Sequence, residues 1–220
     1  MKTVSTNKNQ NAVFETLATL VSALGSKARL KILYLLAQAP RSVDALATLT
    51  GETVANTSQH LQRLLHQGLV LITKDKLSHI YRVSNTNVAL MIENLFDLAE
   101  STSPAHVQAQ KNLSSVNTTQ PTTLFSVVES VQKKKALLLD VRESYETSHT
   151  PVPGSLSLPL SELKKKAKDL SKNKTYYLFC RGRACVDANE GVNILRSLGF
   201  KAYRLKESPS TLQNKMGGTL

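Results

Sequence analysis

Apolar residues in the first part of the chain recur at helical spacing. A first helix is predicted by residues three or four positions apart: Val13, Leu17, Leu20, Val21 and Leu24. It stops at Gly25, and a second apolar helix follows and ends before Pro40, because proline cannot continue a helix. The pattern therefore favours an N-terminal region built mainly of helices.

Two further short helices are predicted on either side of a tight turn. Ser42 is placed to cap a third helix at its N-terminus, and Thr53 is placed to cap a fourth. Gly51 supplies the turn between them, and Gly68 ends the fourth helix. Two short helices across a glycine-containing turn are typical of a helix-turn-helix motif.

A hairpin and a last helix complete this region. The apolar runs 69–72 and 79–83 flank the polar stretch TKDKLS, which predicts two strands joined by an exposed wing. The last helix carries a broad apolar stripe: Val88, Met91, Ile92, Leu95, Leu98 and Ala99. This stripe is wider than a domain of this size is expected to bury by itself.

The second half of the chain has a different pattern. Continuous apolar runs at 135–141, 175–180 and 201–205 are typical of buried parallel strands. Helical segments are predicted between them, over 161–170 and 185–198. Strands alternating with helices predict an α/β domain with a central parallel sheet.

A polar stretch divides the two patterns. Ser, Thr, Gln and Asn dominate residues 101–123, as expected of a linker. The predicted organisation is a disordered tail at 1–10, a mainly α winged helix-turn-helix domain at 11–102, a linker at 103–120 and an α/β domain at 121–220.

Composition and charge limit the function classes. The net charge of +12 suggests a polyanionic partner, yet residues 1–105 hold ten Lys and Arg against seven Asp and Glu, and residues 106–220 hold eighteen against nine. Charge therefore permits nucleic acid without locating it. Apolar runs are too short for a membrane span, the N-terminus lacks a secretory signal, and two cysteines make no disulfide framework. We expect a cytoplasmic protein without a membrane partner.

The helix from Thr53 to Gln67 has two unlike faces. Its apolar side is formed by Val54, Leu61, Leu64 and Leu65, whereas the other side has no acidic residue, unlike an ordinary surface helix with Glu and Lys pairs. Amides can pair with adenine, arginine with guanine, and hydroxyls near a helix N-terminus with phosphate. The candidate DNA contacts, two wing lysines included, are Asn56, Thr57, Ser58, Gln59, His60, Arg63, Lys74 and Lys76.

Cys180 lies where a strand of the α/β domain ends, the edge at which such sheets build their sites. The loop that follows can turn its backbone N–H groups inward as an anion nest. Together with Arg181 and Arg183, it is predicted to stabilise a Cys180 thiolate. The alternative, a buried inert cysteine, is disfavoured by the two guanidinium groups and the glycine beside the thiol.

The segments SVDALA, TSQHLQRL, QGLV and YRVS, in this order and spacing, resemble the ArsR family of bacterial repressors. The resemblance implies a homodimer, built on the first and last helices of the domain, that binds an inverted-repeat operator in double-stranded DNA. Metal-sensing members place cysteines on the helix occupied here by SVDALATL, or Asp and His on the last helix. Neither ligand set is present, so we expect no metal and no cofactor.

The segments LLLDVR, PGSLSLPL and FCRGRAC resemble a rhodanese domain. The resemblance implies that Cys180 accepts a sulfane sulfur, from thiosulfate or a persulfide, and becomes a persulfide. It also implies a loop that cradles this sulfur and two bracing residues: Arg181, Gly182, Arg183, Ala184 and Cys185, with Asp140 and Arg142. Protein phosphatases with a similar loop need arginine where this chain has Val186, which argues against phosphatase activity.

Two functions stay open from the sequence. In the first, the rhodanese-like domain is a sensor whose sulfur loading alters DNA binding. In the second, the protein is a sulfurtransferase enzyme, and the winged helix only tethers or dimerises it. The first is preferred because a base-reading helix face has no purpose in a pure enzyme. Cys185 has two interpretations of equal weight, a small packing residue or a thiol that attacks the Cys180 persulfide.

Overall fold

In the computed structural model of the protein, the described residues are 2–75, 78–113 and 123–217. The chain divides into two compact units, Met1–Ala89 and Leu90–Leu220. Helix α5 (Thr86–Thr102) crosses this boundary, and its part from Leu90 onward belongs to the second unit. Within the described part of the chain, no helix is long and apolar enough to cross a membrane.

The first unit is a winged helix-turn-helix, which confirms the predicted fold of this region. Its elements are α1 (Lys2–Leu24), α2 (Lys27–Leu36), β1 (Arg41–Ser42), α3 (Val43–Thr50), α4 (Val54–His66), β2 (Val70–Asp75) and β3 (Ser78–Val83). The three strands form an antiparallel sheet in the order β1-β3-β2. Its core contains the fully buried side chains of Ile32, Leu33, Leu46, Leu61 and Leu64.

Local signals fix the helix-turn-helix as predicted. The Ser42 hydroxyl accepts a hydrogen bond from the Ala45 N–H at 3.3 Å, and the Thr53 hydroxyl accepts one from the Asn56 N–H at 3.2 Å. Gly51 adopts a left-handed conformation with φ of 76°, which glycine reaches without steric cost. The turn between α3 and α4 therefore depends on this residue.

Two segments differ from their predicted state. Residues 2–10, expected as a disordered tail, are helical in α1 because no glycine or proline interrupts the chain before Leu24. The expected linker 103–120 contains helix α6 (Pro104–Leu113), which Ser103 caps by accepting the His106 N–H at 3.2 Å. The remaining residues of that segment, together with 121 and 122, lie outside the described part.

The second unit contains a four-stranded parallel sheet in the order β5-β4-β6-β7, which confirms the predicted α/β fold. Its strands are β4 (Ala136–Asp140), β5 (Ser155–Ser157), β6 (Thr175–Phe179) and β7 (Lys201–Arg204). Its helices after α6 are α7 (Leu124–Gln132), α8 (Ser144–His149), α9 (Leu160–Lys166), α10 (Asp187–Ser197) and α11 (Pro209–Gly217). A short 3₁₀ turn, Ala167–Asp169, follows α9.

The sheet has a hydrophobic core on each face. Leu139 and Leu178 pack with Val192 and Leu195 of α10 on one face, in a core that also holds both cysteines. On the other face, strand residues pack with Val127 of α7 and with α11. Successive strand residues point to opposite faces, so both faces need apolar side chains. This packing fixes the loop between β6 and α10, where Cys180 lies.

Candidate functional site

The outer face of α4 presents the predicted base-reading groups to solvent. Asn56, Gln59 and Arg63 are exposed, and Ser58 and His60 are partly exposed. Lys74 is exposed on β2, and Lys76 lies outside the described residues. The structure thus brings five of the candidates together on one helix, in an arrangement that fits a major groove.

Thr57 is the exception on this helix. Its side chain is fully buried, so the prediction that it can contact phosphate is wrong. Thr57 shares the buried row of Leu61 and Leu64, four and seven residues further on, whereas Val54, predicted to be buried, is 48% exposed. The helix is therefore rotated slightly from its predicted orientation, toward burial of Thr57.

Arg29 of α2 is a cation near this face that the sequence did not indicate. Its guanidinium is buried and donates to the carbonyls of Ala23 and Ser22, the latter at 3.2 Å. Burial, and then the nearby charge of Arg63, lower the pKa of Arg29 from its ordinary value. Arg29 therefore holds the C-terminal end of α1 and lies close to a candidate DNA contact.

The cysteine loop, residues 180–186, connects β6 to α10. Cys180 is 1% exposed and Cys185 is 7% exposed. Gly182 has φ of 112°, in the left-handed region, and its carbonyl accepts the Cys185 N–H at 3.2 Å. Ala184 is exposed at the tip of the loop. The predicted cradle residues are thus brought together in one short turn in front of a helix.

The two buried thiols differ in acidity. Burial, and then the Cys185 side chain, raise the pKa of the Cys180 thiol well above its ordinary value. The neighbouring Cys180 side chain lowers the pKa of Cys185. Of the two thiols, Cys185 is therefore the one that ionises more readily.

Arg181 is directed toward Cys185. Its guanidinium forms a bidentate pair with Glu146, at 2.7 Å to each carboxylate oxygen, and a third hydrogen bond to Asp187 at 2.8 Å. Its Nη1 lies 3.6 Å from the Cys185 sulfur. Arg181 therefore supports a negative charge on Cys185 while two carboxylates hold it in place.

Arg183 is directed toward α5. It pairs with Glu100 of α5 at 2.7 Å and with Asp97 of the same helix. The prediction that Arg181 and Arg183 together stabilise a Cys180 thiolate is therefore wrong. The physical reason is that carboxylates distant in the sequence pair with both guanidinium groups, while burial raises the pKa of the Cys180 thiol.

Arg204, at the end of β7, organises the loop backbone. Its Nη2 donates to three loop carbonyls, those of Gly182 at 3.4 Å, Arg183 at 3.2 Å and Cys185 at 3.1 Å. The side chain is 6% exposed, so these bonds are screened from water. Sequence reasoning missed this residue, because a charged residue at a strand end does not reveal which loop it will meet.

Asp140 and Arg142 lie next to the cysteine strand and are fully buried. Arg142 forms a bidentate pair with Asp140 through Nε at 3.0 Å and Nη2 at 2.6 Å, and it also donates to the Thr150 hydroxyl and carbonyl at 2.7 and 2.8 Å. Asp140 is in register with Phe179, the residue before Cys180. The pair therefore joins β4 to the segment after α8, beside the loop.

Comparison with known families identifies both units. The model of the bacterial regulatory protein arsR family matches residues 26–71, and the model of the rhodanese-like domain matches residues 126–213. The HTH-type transcriptional regulator Rv0324 of Mycobacterium tuberculosis is 31% identical over 201 residues, which cover 89% of this chain and 86% of that protein.

A regulator and a solved domain fragment each resemble part of the chain. The HTH-type transcriptional regulator YgaV of Escherichia coli is 34% identical over 82 residues, which cover 37% of this chain and 83% of that regulator. The solution structure of the homodimeric winged helix-turn-helix domain of Mb0332 from Mycobacterium bovis is 33% identical, with a TM-score of 0.41. That match covers 43% of this chain and 87% of the solved fragment.

Proposed function

The chain belongs to the ArsR family of bacterial regulatory proteins and carries a C-terminal rhodanese-like domain, and from this premise we propose that sulfane sulfur taken up at its cysteine loop controls its binding to operator DNA. The observation that carries the proposal is the pair of buried, free thiols in one short loop of a DNA-binding transcription regulator.

DNA binding is assigned to α4, whose exposed Asn56, Gln59 and Arg63 enter the major groove. A homodimer places two such helices on an inverted repeat. Support for the dimer comes from an exposed apolar stripe on α1, where the exposed fraction exceeds one half at four positions: Val13, Phe14, Leu17 and Val21. A second copy of the chain would cover this stripe, since monomers rarely leave such a surface in water.

The sulfur step assigns different roles to the two cysteines. The Cys180 sulfur attacks the outer sulfur of a persulfide donor, R–S–SH, as the resemblance to rhodanese implies. The donor S–S bond breaks, and R–S⁻ leaves with the electron pair. Cys185, the more acidic thiol of the pair, acts in this step as the thiolate, and it takes up the proton of the Cys180 thiol. The product is a Cys180 persulfide beside a neutral Cys185 thiol, and no external oxidant is needed.

The test joins operator binding with mass spectrometry. Wild type, Cys180→Ser and Cys185→Ser are titrated against an operator selected from random inverted repeats, before and after treatment with a low-molecular-weight persulfide. We expect one added sulfur on the Cys180 peptide of the wild type and a change in operator affinity of about 5-fold or more. Cys180→Ser should lose both effects.

Other outcomes separate the alternatives. Sulfur found on Cys185 while Cys180 stays unmodified would show that the acceptor has been assigned to the wrong residue. Identical titration curves for loaded and unloaded wild type would favour the sulfurtransferase enzyme, with the winged helix as a tether or dimerisation module. Sulfur transfer to a thiol acceptor, measured over many turnovers on the same samples, would establish that enzyme.

A further inference from the structure

The part of α5 that belongs to the second unit contacts the cysteine loop through acidic residues. Arg183 of the loop forms ion pairs with Glu100 at 2.7 Å and with Asp97, and its side chain is only 11% exposed. Lys206, which follows β7, reaches Glu100 at 3.4 Å. We define the acidic face of α5 as Glu93, Asp97 and Glu100, which recur at helical spacing.

Glu93 is the buried residue of this acidic face. It is 8% exposed, and Ser208, just before α11, lies close to its carboxylate. A Cβ built on Gly182 would lie 3.3 Å from Ser208 Cβ and 3.5 Å from the Glu93 carboxylate. Gly182 is itself buried. The acidic face of α5 and Ser208 therefore close over the middle of the cysteine loop, two residues beyond Cys180.

We expect sulfur loading to disturb this arrangement. A persulfide adds one sulfur atom, about 2 Å from the Cys180 sulfur, to a side chain that is 1% exposed. Protein interiors are close-packed, so the added atom has to displace its neighbours. The loop carbonyls are held by Arg204 on one side, and Gly182 has little free space beside Glu93 and Ser208. Displacement of the loop would therefore reach the ion pairs of Arg183.

We propose that the acidic face of α5 is the docking surface for the cysteine loop, and that sulfur loading weakens this docking. The inference rests on the proposed function, because it assigns a route by which the loop state reaches the DNA-binding region. Arg183 is a positioning residue in this route and does not touch the reacting sulfur. The coupling is reciprocal. If opening of the loop changes operator affinity by a given factor, bound operator changes the equilibrium between the closed and the open loop by the same factor.

The experiment measures access to the loop without sulfur chemistry. The full chain is alkylated with iodoacetamide, and the modified Cys180 and Cys185 peptides are quantified over time. Rates of the Cys185 peptide are compared at their alkaline plateau, where this thiol is fully ionised, so that a shifted thiol pKa does not imitate a change in access. The proteins are wild type, Arg183→Ala, Glu100→Gln and the double variant, with and without operator DNA.

Docking predicts faster alkylation of Arg183→Ala, by about 5-fold or more, and a smaller increase for Glu100→Gln. The double variant should match Arg183→Ala, because Glu100 acts through Arg183. Glu162→Gln is the matched control, since it breaks an exposed ion pair with Lys166 elsewhere in the same unit and should keep the wild-type rate. Bound operator should change the wild-type rate and leave that of Arg183→Ala unchanged.

Equal plateau rates for wild type, Arg183→Ala and Glu100→Gln would overturn the docking proposal, even where sulfur is taken up. Additive effects in the double variant would do the same, since they would show that the two residues act independently. A wild type that takes up no sulfur contradicts the proposed function instead, and the alkylation rates still decide whether α5 docks on the loop.

Discussion

The replacement of Glu93 by glutamine should remove a pH dependence of stability that the buried carboxyl creates. Burial raises the pKa of Glu93 from 4.5 to about 7. Arg183 opposes this shift, as does a hydrogen bond with Ser208, whereas Asp97 and Glu207 add to it. These are the groups that face the carboxyl from α5, from the loop and from the segment before α11. Glutamine has nearly the same shape and does not titrate, so it isolates the contribution of the proton.

The sign follows from proton binding. Between pH 4.5 and 7 the folded state holds a proton on Glu93 that the unfolded state has released. Stability contributed by this group is therefore full below pH 4.5, falls as the pH rises to 7, and stays low above it. Between pH 5.5 and 8, stability falls only over the one and a half pH units from 5.5 to 7, because Glu93 is ionised in the folded state above pH 7. This span corresponds to a loss of about 2 kcal/mol in the free energy of unfolding. Wild type should lose this amount relative to Glu93→Gln.

The assay is urea unfolding at several values between pH 5.5 and 8, followed by circular dichroism and by tyrosine fluorescence. The chain has no tryptophan, and four of its six tyrosines lie in the second unit, which contains Glu93. Glu162→Gln controls for the loss of one negative charge. A difference between wild type and Glu93→Gln that stays constant over this pH range would refute the reasoning, because the carboxyl would then have the same pKa in both states.

Five further substitutions test the two candidate sites by other means. Arg204→Met should destabilise the second unit by about 3 kcal/mol in urea unfolding, because it removes the hydrogen bonds that Arg204 donates to three loop carbonyls. Arg142→Ala should cost roughly 3–5 kcal/mol in the same measurement, since it leaves the buried Asp140 carboxylate without its cation, and a smaller loss would contradict the buried ion pair. Thr57→Val should leave operator affinity unchanged in fluorescence anisotropy titrations, whereas Gln59→Ala and Arg63→Ala should each cost roughly 1–3 kcal/mol.

Features determined by neighbouring residues were predictable from the sequence. The caps at Ser42 and Thr53 and the turn at Gly51 are local, and each appears in the structure as expected. Thr57 was placed on the wrong face because periodicity fixes the direction of a helix stripe only approximately, and a threonine is small enough to be buried. The α/β pattern was also visible, because parallel strands buried on both faces have continuous apolar runs.

The charges around the cysteine loop were not predictable in the same way. Arg181 and Arg183 flank a glycine in the sequence, and nothing local shows that Glu146, 35 residues away, holds the first, or that Glu100, 83 residues away, holds the second. Arg204 contacts the loop only because β7 lies beside β6 in the sheet. Such contacts depend on the whole fold, and motif spacing does not report them.

The opposite directions of Arg181 and Arg183 have a consequence for how such a regulator can evolve. Arg181 supports the reacting pair through Cys185, whereas Arg183 contacts only the α5 carboxylates among the acidic partners that the structure describes. Under the proposed function, a substitution at Arg183 can therefore alter access to the loop, and with it the strength of the response, while the contact of Arg181 with Cys185 is preserved. Gly182, with φ of 112°, admits no side chain without strain and keeps the two arginines apart. The sensitivity of the response and the chemistry of the thiols can thus be selected separately, although both depend on one loop of seven residues.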